Sequence, residues 1–392
     1  VNIYSIWPYF ATIAMIIMIM ATPVFSFVDE PINPHAPRRV QSIDGLRGIL
    51  AMSVAIHHLV TAYKYHFTGV WGWLPSGFYN QLGEASVSLF FMVTGFLFWK
   101  RLSIENGKTD LLRLYVGRFF RIAPMYVLVV LAMFVVVAHR TRYTLNVPIS
   151  ELLQSMAQWL ALGIGGSDIP LNGDDHAKLV LAGVTWTIGY EWAFYASLAG
   201  LYFVARRRTH LPFAMLAFAI SAYLTTPGLG IAGFCLLFSA GMLAASLTVH
   251  GFKLSGPVSA IAALLAIAYA VHSSPSTYGH VQQVIALFAF FTIVASGNCL
   301  FGILTTRGAE RLGNISYSVY LVQGLAITAL YGLPIVRSWA FNSPLLYWCS
   351  AVMCCIALAA VSAVTFRYIE RPAISLGKRV FQKQVHGERS PI

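Results

Sequence analysis

The sequence predicts an all-α, polytopic helical membrane protein with about ten core transmembrane helices and an additional N-terminal apolar segment. Three observations carry this. Hydrophobic types make up 58% of the 392 residues and charged types only 10%, against roughly 25% charged in a soluble domain. The apolar residues gather in runs of about 20, the length that crosses a bilayer. The basic residues fall between those runs with a strong bias to one side. Such a composition excludes a soluble globular enzyme, a disordered tail and a small disulfide-stapled secreted domain.

The elements follow in order. Residues 3–22 are apolar and precede Pro23 and the prolines Pro31, Pro34 and Pro37. This leader and linker, residues 1–39, is either an eleventh span or a signal-like anchor; it lacks the basic n-region of a cleaved signal peptide. The membrane domain covers residues 40–375. Its spans are expected at about 46–62, 83–99, 122–138, 180–204, 211–225, 229–247, 255–272, 282–304, 314–333 and 344–366. A basic tail, residues 376–392, follows.

Basic residues set the topology. With residue 46 at the cytoplasmic face and alternating spans, every Lys and Arg falls inside except Lys64, Arg140, Arg142, Lys178 and Arg337. The tail is then cytoplasmic. Residues 152–164 are apolar but short, and counting them as a span would put Arg206, Arg207 and Arg208 outside. The stretch 139–179 is therefore expected as a long outer loop carrying an interfacial helix. The net charge of +12 follows from this asymmetry, and no basic stretch has the aromatic interleaving of a nucleic-acid surface. The five cysteines, Cys235, Cys299, Cys349, Cys354 and Cys355, lie in apolar runs without metal-ligand spacing, so neither a disulfide nor a metal is expected.

Several constellations carry possible chemistry. Asp44-Gly45-Leu46-Arg47-Gly48 opens a helix that continues to His57-His58. Arg47 and His58 are about three turns apart, on one face and separated by about 16 Å. An imidazole at mid-membrane depth is a functional candidate and can act as a general base; the alternative is a core histidine bonded to a carbonyl. His57 points elsewhere and reads as structural. In Thr185-Trp186-Thr187-Ile188-Gly189-Tyr190-Glu191-Trp192-Ala193-Phe194-Tyr195, Glu191 lies in an apolar span at a depth like that of His58. A buried carboxylate needs a partner, so Glu191 is expected to hold the His58 tautomer as the acid does in a catalytic triad; the alternative is a structural pairing with Tyr or Trp. Arg118 and Arg121, three apart, share a helix face and suit either phosphate recognition or lipid-headgroup anchoring. Glu84, Ser86, Ser88 and Gly95 read as core packing. Ser316, Tyr317, Tyr320 and Gln323 form one stripe that either lines a cavity or joins helices. Phe366-Arg367-Tyr368-Ile369-Glu370-Arg371-Pro372 reads as an ion pair closing the last helix.

Taken in this order, the motifs resemble the acyltransferase 3 family of integral-membrane O-acyltransferases, over about residues 40–375. The resemblance implies transfer of an acyl group from a cytoplasmic acyl-CoA, usually acetyl-CoA, to a hydroxyl of a cell-surface or exported glycan, in the bacterial cytoplasmic (inner) membrane. It implies that Arg47, His58, Arg118 and Arg121 are required. The expected roles are catalytic for His58, Glu191 and Arg47, and acyl-CoA phosphate binding for Arg118 and Arg121. The expected partners are acyl-CoA, the glycan acceptor and the lipid bilayer, without nucleic acid. The family often has a His where this chain has Gln323, and Gln cannot titrate. The stretch after Pro372 is too short for the hydrolase-like domain that some relatives carry. The rival reading is a proton-coupled transporter using His58 and Glu191 as a relay, although the paired repeats of many transporters are not evident; a non-catalytic scaffold gives these residues no reason to sit as they do.

Overall fold

The computed structural model describes residues 2–29, 40–228 and 230–387. The prolines Pro31, Pro34 and Pro37, with Arg38, Arg39 and Arg389, lie outside them. Among the described residues the chain forms fifteen α-helices and no strand, an all-α membrane protein. They are α1 (Trp7–Ala21), α2 (Gln41–Thr68), α3 (Gly77–Glu105), α4 (Leu111–Arg140), α5 (Ile149–Leu160), α6 (Trp186–Val204), α7 (His210–Leu224), α8 (Ile231–Val249), α9 (Pro257–Ser273), α10 (Val281–Ala295), α11 (Arg307–Asn314), α12 (Ser316–Gly332), α13 (Pro334–Ala340), α14 (Pro344–Thr365) and α15 (Arg371–Gly387).

Each expected span contains a helix, but the helices are not all full spans. Five stretches are long and apolar enough to cross a membrane: α2, α3, α4, α8 and the continuous run Pro344–Val380. A sixth arises if α11 and α12, bent by 71° to one another, count as one broken span. Helices α7, α9 and α10 are apolar but only 15–17 residues long. The ten-span expectation is thus met in position and corrected in length, because hydropathy runs through the turns that end these helices.

Small residues let the central helices approach closely, as membrane helices do. A Cβ on Gly95 of α3 would lie 2.3 Å from the Phe238 carbonyl oxygen, and one on Gly241 of α8 would lie 2.0 Å from that of Met92. The same device joins α2 to α11, where a Cβ on Gly48 would meet Gly313 N at 2.6 Å and one on Gly313 would meet Asp44 O at 2.1 Å. The packing role expected of Gly95 is therefore observed.

The leader helix α1 packs into the bundle against α2, α11 and α14, with Ile16 and Met20 fully buried. Arg311 of α11 fastens it. Its Nε and Nη2 reach the two oxygens of Asp29 at 2.6 and 2.9 Å, and its Nη1 donates to Met20 O at 2.9 Å and Thr22 O at 2.6 Å. The long connection after α4 carries the expected short helix, α5, held by the Tyr126 hydroxyl donating to Trp159 O at 2.9 Å. Asn172 closes that connection by donating to Thr141 Oγ1 and Thr144 O.

The closing motif does not end a helix. Phe366–Glu370 forms a π-turn through which α14 runs on into α15. The extra residue in that turn swings Glu370 inward, where it is 2% exposed and accepts from Ser318 Oγ at 3.0 Å. Single π-turns often mark functional positions.

Candidate functional site

A cavity opens between α2, α3, α4, α6 and α12. Its polar lining includes Arg47 from α2, Arg118 and Arg121 from α4, Glu191 and Tyr195 from α6, and Ser316, Tyr317 and Tyr320 from α12. Phe90, Phe91 and Phe98 of α3 supply much of the apolar wall.

Local structure explains how these groups converge. The glycine contact between α2 and α11 brings Arg47 to the start of α12, where its Nη2 donates to Ser316 Oγ at 3.0 Å. Asp110 caps α4 by accepting from Arg113 N at 2.9 Å, and Arg118 and Arg121 follow on one face of its early turns. The Arg118 guanidinium lies 4.6 Å over the Phe98 ring, a cation–π contact that rests it against the wall. Two tyrosines brace α4: Tyr115 donates to Tyr195 O at 2.9 Å and Tyr317 to Ile122 O at 2.9 Å.

The electrostatics are unbalanced. Arg47 lies 3.7 Å from Asp44 and feels Glu370. Among the described residues, Arg118 and Arg121 form no ion pair within 4 Å. The acid inside the cavity is Glu191, which accepts from the Tyr195 hydroxyl at 2.9 Å and feels all three guanidiniums without touching them. Three forked cations over an apolar floor form a site for a polyanion with an organic body, and guanidiniums suit phosphate in particular.

His58 lies elsewhere. It does not line the cavity. Its Nδ1 is 3.0 Å from Gln323 Oε1, and its ring stacks on Trp71 with centroids 5.9 Å apart and planes at 18°. Gln323 is three residues, about 4.5 Å of rise, beyond the cavity-lining Tyr320. His58 therefore sits about one helical turn past the inner end of the cavity. The expected partnership of His58 with Glu191 is corrected: Glu191 turns toward α4 and the arginines, and Gln323 takes the imidazole. Equal depth on two helices does not fix which faces meet. The relay that the transporter reading needs loses its second member with this pair.

The remaining expectations resolve individually. His57 is structural, with Nδ1 2.7 Å from Tyr79 O and its ring packed at Gly83. The α12 stripe does both things proposed for it: Ser316, Tyr317 and Tyr320 line the cavity, and Gln323 joins α12 to α2. Glu84 accepts from Ser276 Oγ, Thr277 N and Tyr278 N and fastens the connection between α9 and α10. Tyr195 and Trp71 were not singled out from sequence. Tyr195 lies one turn after Glu191, a spacing that could have flagged it; Trp71 stands in an irregular loop with no periodicity to flag it.

The sequence model described as an acyltransferase domain matches residues 40–364, most of the chain and all of the cavity. No curated protein and no solved structure matches.

Proposed function

Since the chain belongs to the acyltransferase 3 family, we propose that this membrane acyltransferase draws its acyl group from a cytoplasmic acyl-CoA and delivers it to a hydroxyl. Acetyl-CoA is the donor and a cell-surface or exported glycan the acceptor, at the bacterial inner membrane. The observation that supports this reading best is the cavity, where Arg118 and Arg121 stand beside Arg47 without an ion-pair partner among the described residues. The phosphates of the donor dock on these guanidiniums, with the pantetheine arm running inward along the aromatic wall toward His58.

His58 then acts as general base. The acceptor hydroxyl gives its proton to the imidazole as its oxygen attacks the thioester carbonyl. The carbon–sulfur bond breaks, the new oxygen ester forms, and the imidazolium returns the proton to the departing thiolate. Glu191 has a different part from the one first expected: it spaces and orients the guanidiniums through its charge while Tyr195 holds it.

The test is transfer of label from [14C]acetyl-CoA into the glycan fraction of vesicles carrying the full-length protein. Wild type incorporates label, and His58→Ala at equal protein level does not. Full incorporation by His58→Ala overturns the base assignment. No incorporation by wild type, with the donor intact, overturns the donor.

A further inference from the structure

We infer that Gln323 sets the tautomer of His58, holding the ring proton on Nδ1 and leaving the Nε2 lone pair free for the acceptor hydroxyl. The inference deepens the general-base assignment and rests on it for its catalytic meaning. The argument is one of donors and acceptors. Gln323 Nε2 lies 2.8 Å from the backbone carbonyl oxygen of Tyr320, one turn back on α12. A carbonyl oxygen only accepts, so the side-chain amide must present its NH2 there. The other end of the amide, Oε1, lies 3.0 Å from His58 Nδ1, and it too only accepts. The hydrogen between them must therefore belong to Nδ1.

The reversed amide would place two acceptors 2.8 Å apart at Tyr320 O. Gln323 is fully buried, and unsatisfied polar groups are costly in such surroundings. The other end of the imidazole is open: among the described residues no hydrogen bond reaches His58 Nε2. Trp71 covers a face of the ring rather than an edge. The titratable neighbour, His57, has its own Nδ1 committed to Tyr79 O. Gln323 thus does for His58 what a carboxylate does in a Ser-His-Asp triad, fixing tautomer and ring plane. It does so without burying a second charge, which would carry a desolvation cost.

As His58 takes the hydroxyl proton on Nε2, Nδ1 keeps its hydrogen and Gln323 Oε1 accepts from the resulting cation. No proton passes to Gln323, so the absence of a titrating group at this position is no obstacle. Gln323 is a positioning residue and touches neither donor nor acceptor.

The experiment reads the tautomer directly. Full-length protein labelled with 15N-histidine is placed in lipid nanodiscs at about pH 8, where the neutral imidazole is the form observed. The His58 signals are assigned by their loss in His58→Gln. The expected result is a protonated Nδ1 and a bare Nε2, with that pattern lost in Gln323→Leu. In [14C]acetyl-CoA transfer, Gln323→Leu lowers kcat about 100-fold, in the range of lost acid–base assistance, with the KM for acetyl-CoA within about twofold. Gln323→Glu, which keeps an acceptor oxygen, recovers most of the rate. A bare Nδ1 in wild type overturns the inference whatever the variants do. So does a Gln323→Leu protein with wild-type spectrum and kcat. Wild-type turnover in His58→Gln instead overturns the base assignment, while the spectrum still decides the tautomer.

Discussion

Arg47 Nη2 donates to Ser316 Oγ across 3.0 Å, and this bond ties the second helix to the first residue of α12, just past the sharp bend between α11 and α12. Its geometry depends on the glycine contact one turn away, so helix packing and the aim of a cationic side chain are one problem. Ser316→Ala leaves the charge in place but removes its support. A hydrogen bond to a charged group contributes about 1.5–3 kcal/mol. The expected result is a rise in the KM for acetyl-CoA of about tenfold with kcat little changed, measured by steady-state transfer.

Arg118 and Arg121 share a face and a cavity but differ in support, since among the described residues only Arg118 rests on an aromatic ring. Arg121→Lys keeps the charge and loses the fork, so donor affinity falls by several-fold. Arg121→Ala loses both and falls further, by about 10–100-fold. Titration with a non-hydrolysable acyl-CoA analogue at rising salt checks this: wild-type affinity weakens with salt, and the Ala variant shows a shallower dependence because one screened contact is gone.

Glu191 sits among guanidiniums rather than beside the imidazole, so Glu191→Gln should change donor KM and leave the His58 15N spectrum unchanged. A Glu191→Gln protein with an altered His58 tautomer would contradict the observed geometry. Tyr195→Phe removes the hydroxyl that holds the acid and should give a smaller change in the same direction.

Gly48 and Gly241 sit where any Cβ would enter backbone, at 2.6 and 2.0 Å. Backbone cannot swing aside as a side-chain tip can. Gly48→Val and Gly241→Val should each cost at least the ~1–3 kcal/mol of core overpacking and lower the yield of monodisperse protein in fluorescence-detected size exclusion. An exposed Val258→Leu control should behave as wild type.

The Arg311 guanidinium, by hydrogen bonding, holds the Asp29 carboxyl below its ordinary range. A depressed acid contributes stability above its unfolded pKa and loses it as pH falls through the lower folded value. Wild type should therefore exceed Asp29→Asn in thermal stability at neutral pH, with the gap closing below about pH 4. The side chain of Asp29 is 47% exposed, so solvent screening keeps the difference modest. Thermal unfolding in detergent at both pH values measures it.

Much of this was legible in the sequence. Hydropathy placed a helix in every expected span, and the one-sided distribution of basic residues put Arg47, Arg118 and Arg121 together on the cytoplasmic side. The partner of His58 was not legible. Depth along an axis can be counted from residue numbers, but rotation about that axis depends on packing, and Glu191 faces α4. The α12 stripe was visible but treated as one site. From Ser316 to Gln323 it climbs about 10 Å, enough to serve two places. The π-turn that swings Glu370 inward leaves no mark on apolar periodicity, so the closing motif read as an end.

Helices α7, α9 and α10 carry a consequence for the lipid around them. At 15–17 residues each reaches about 22–26 Å, short of a hydrocarbon layer of about 30 Å. Tyr223, Val258 and Leu265 on these helices are exposed. A bilayer matched to such short helices would thin locally, at a fraction of a kcal/mol per Å of mismatch, so thin membranes should suit this protein better than thick ones.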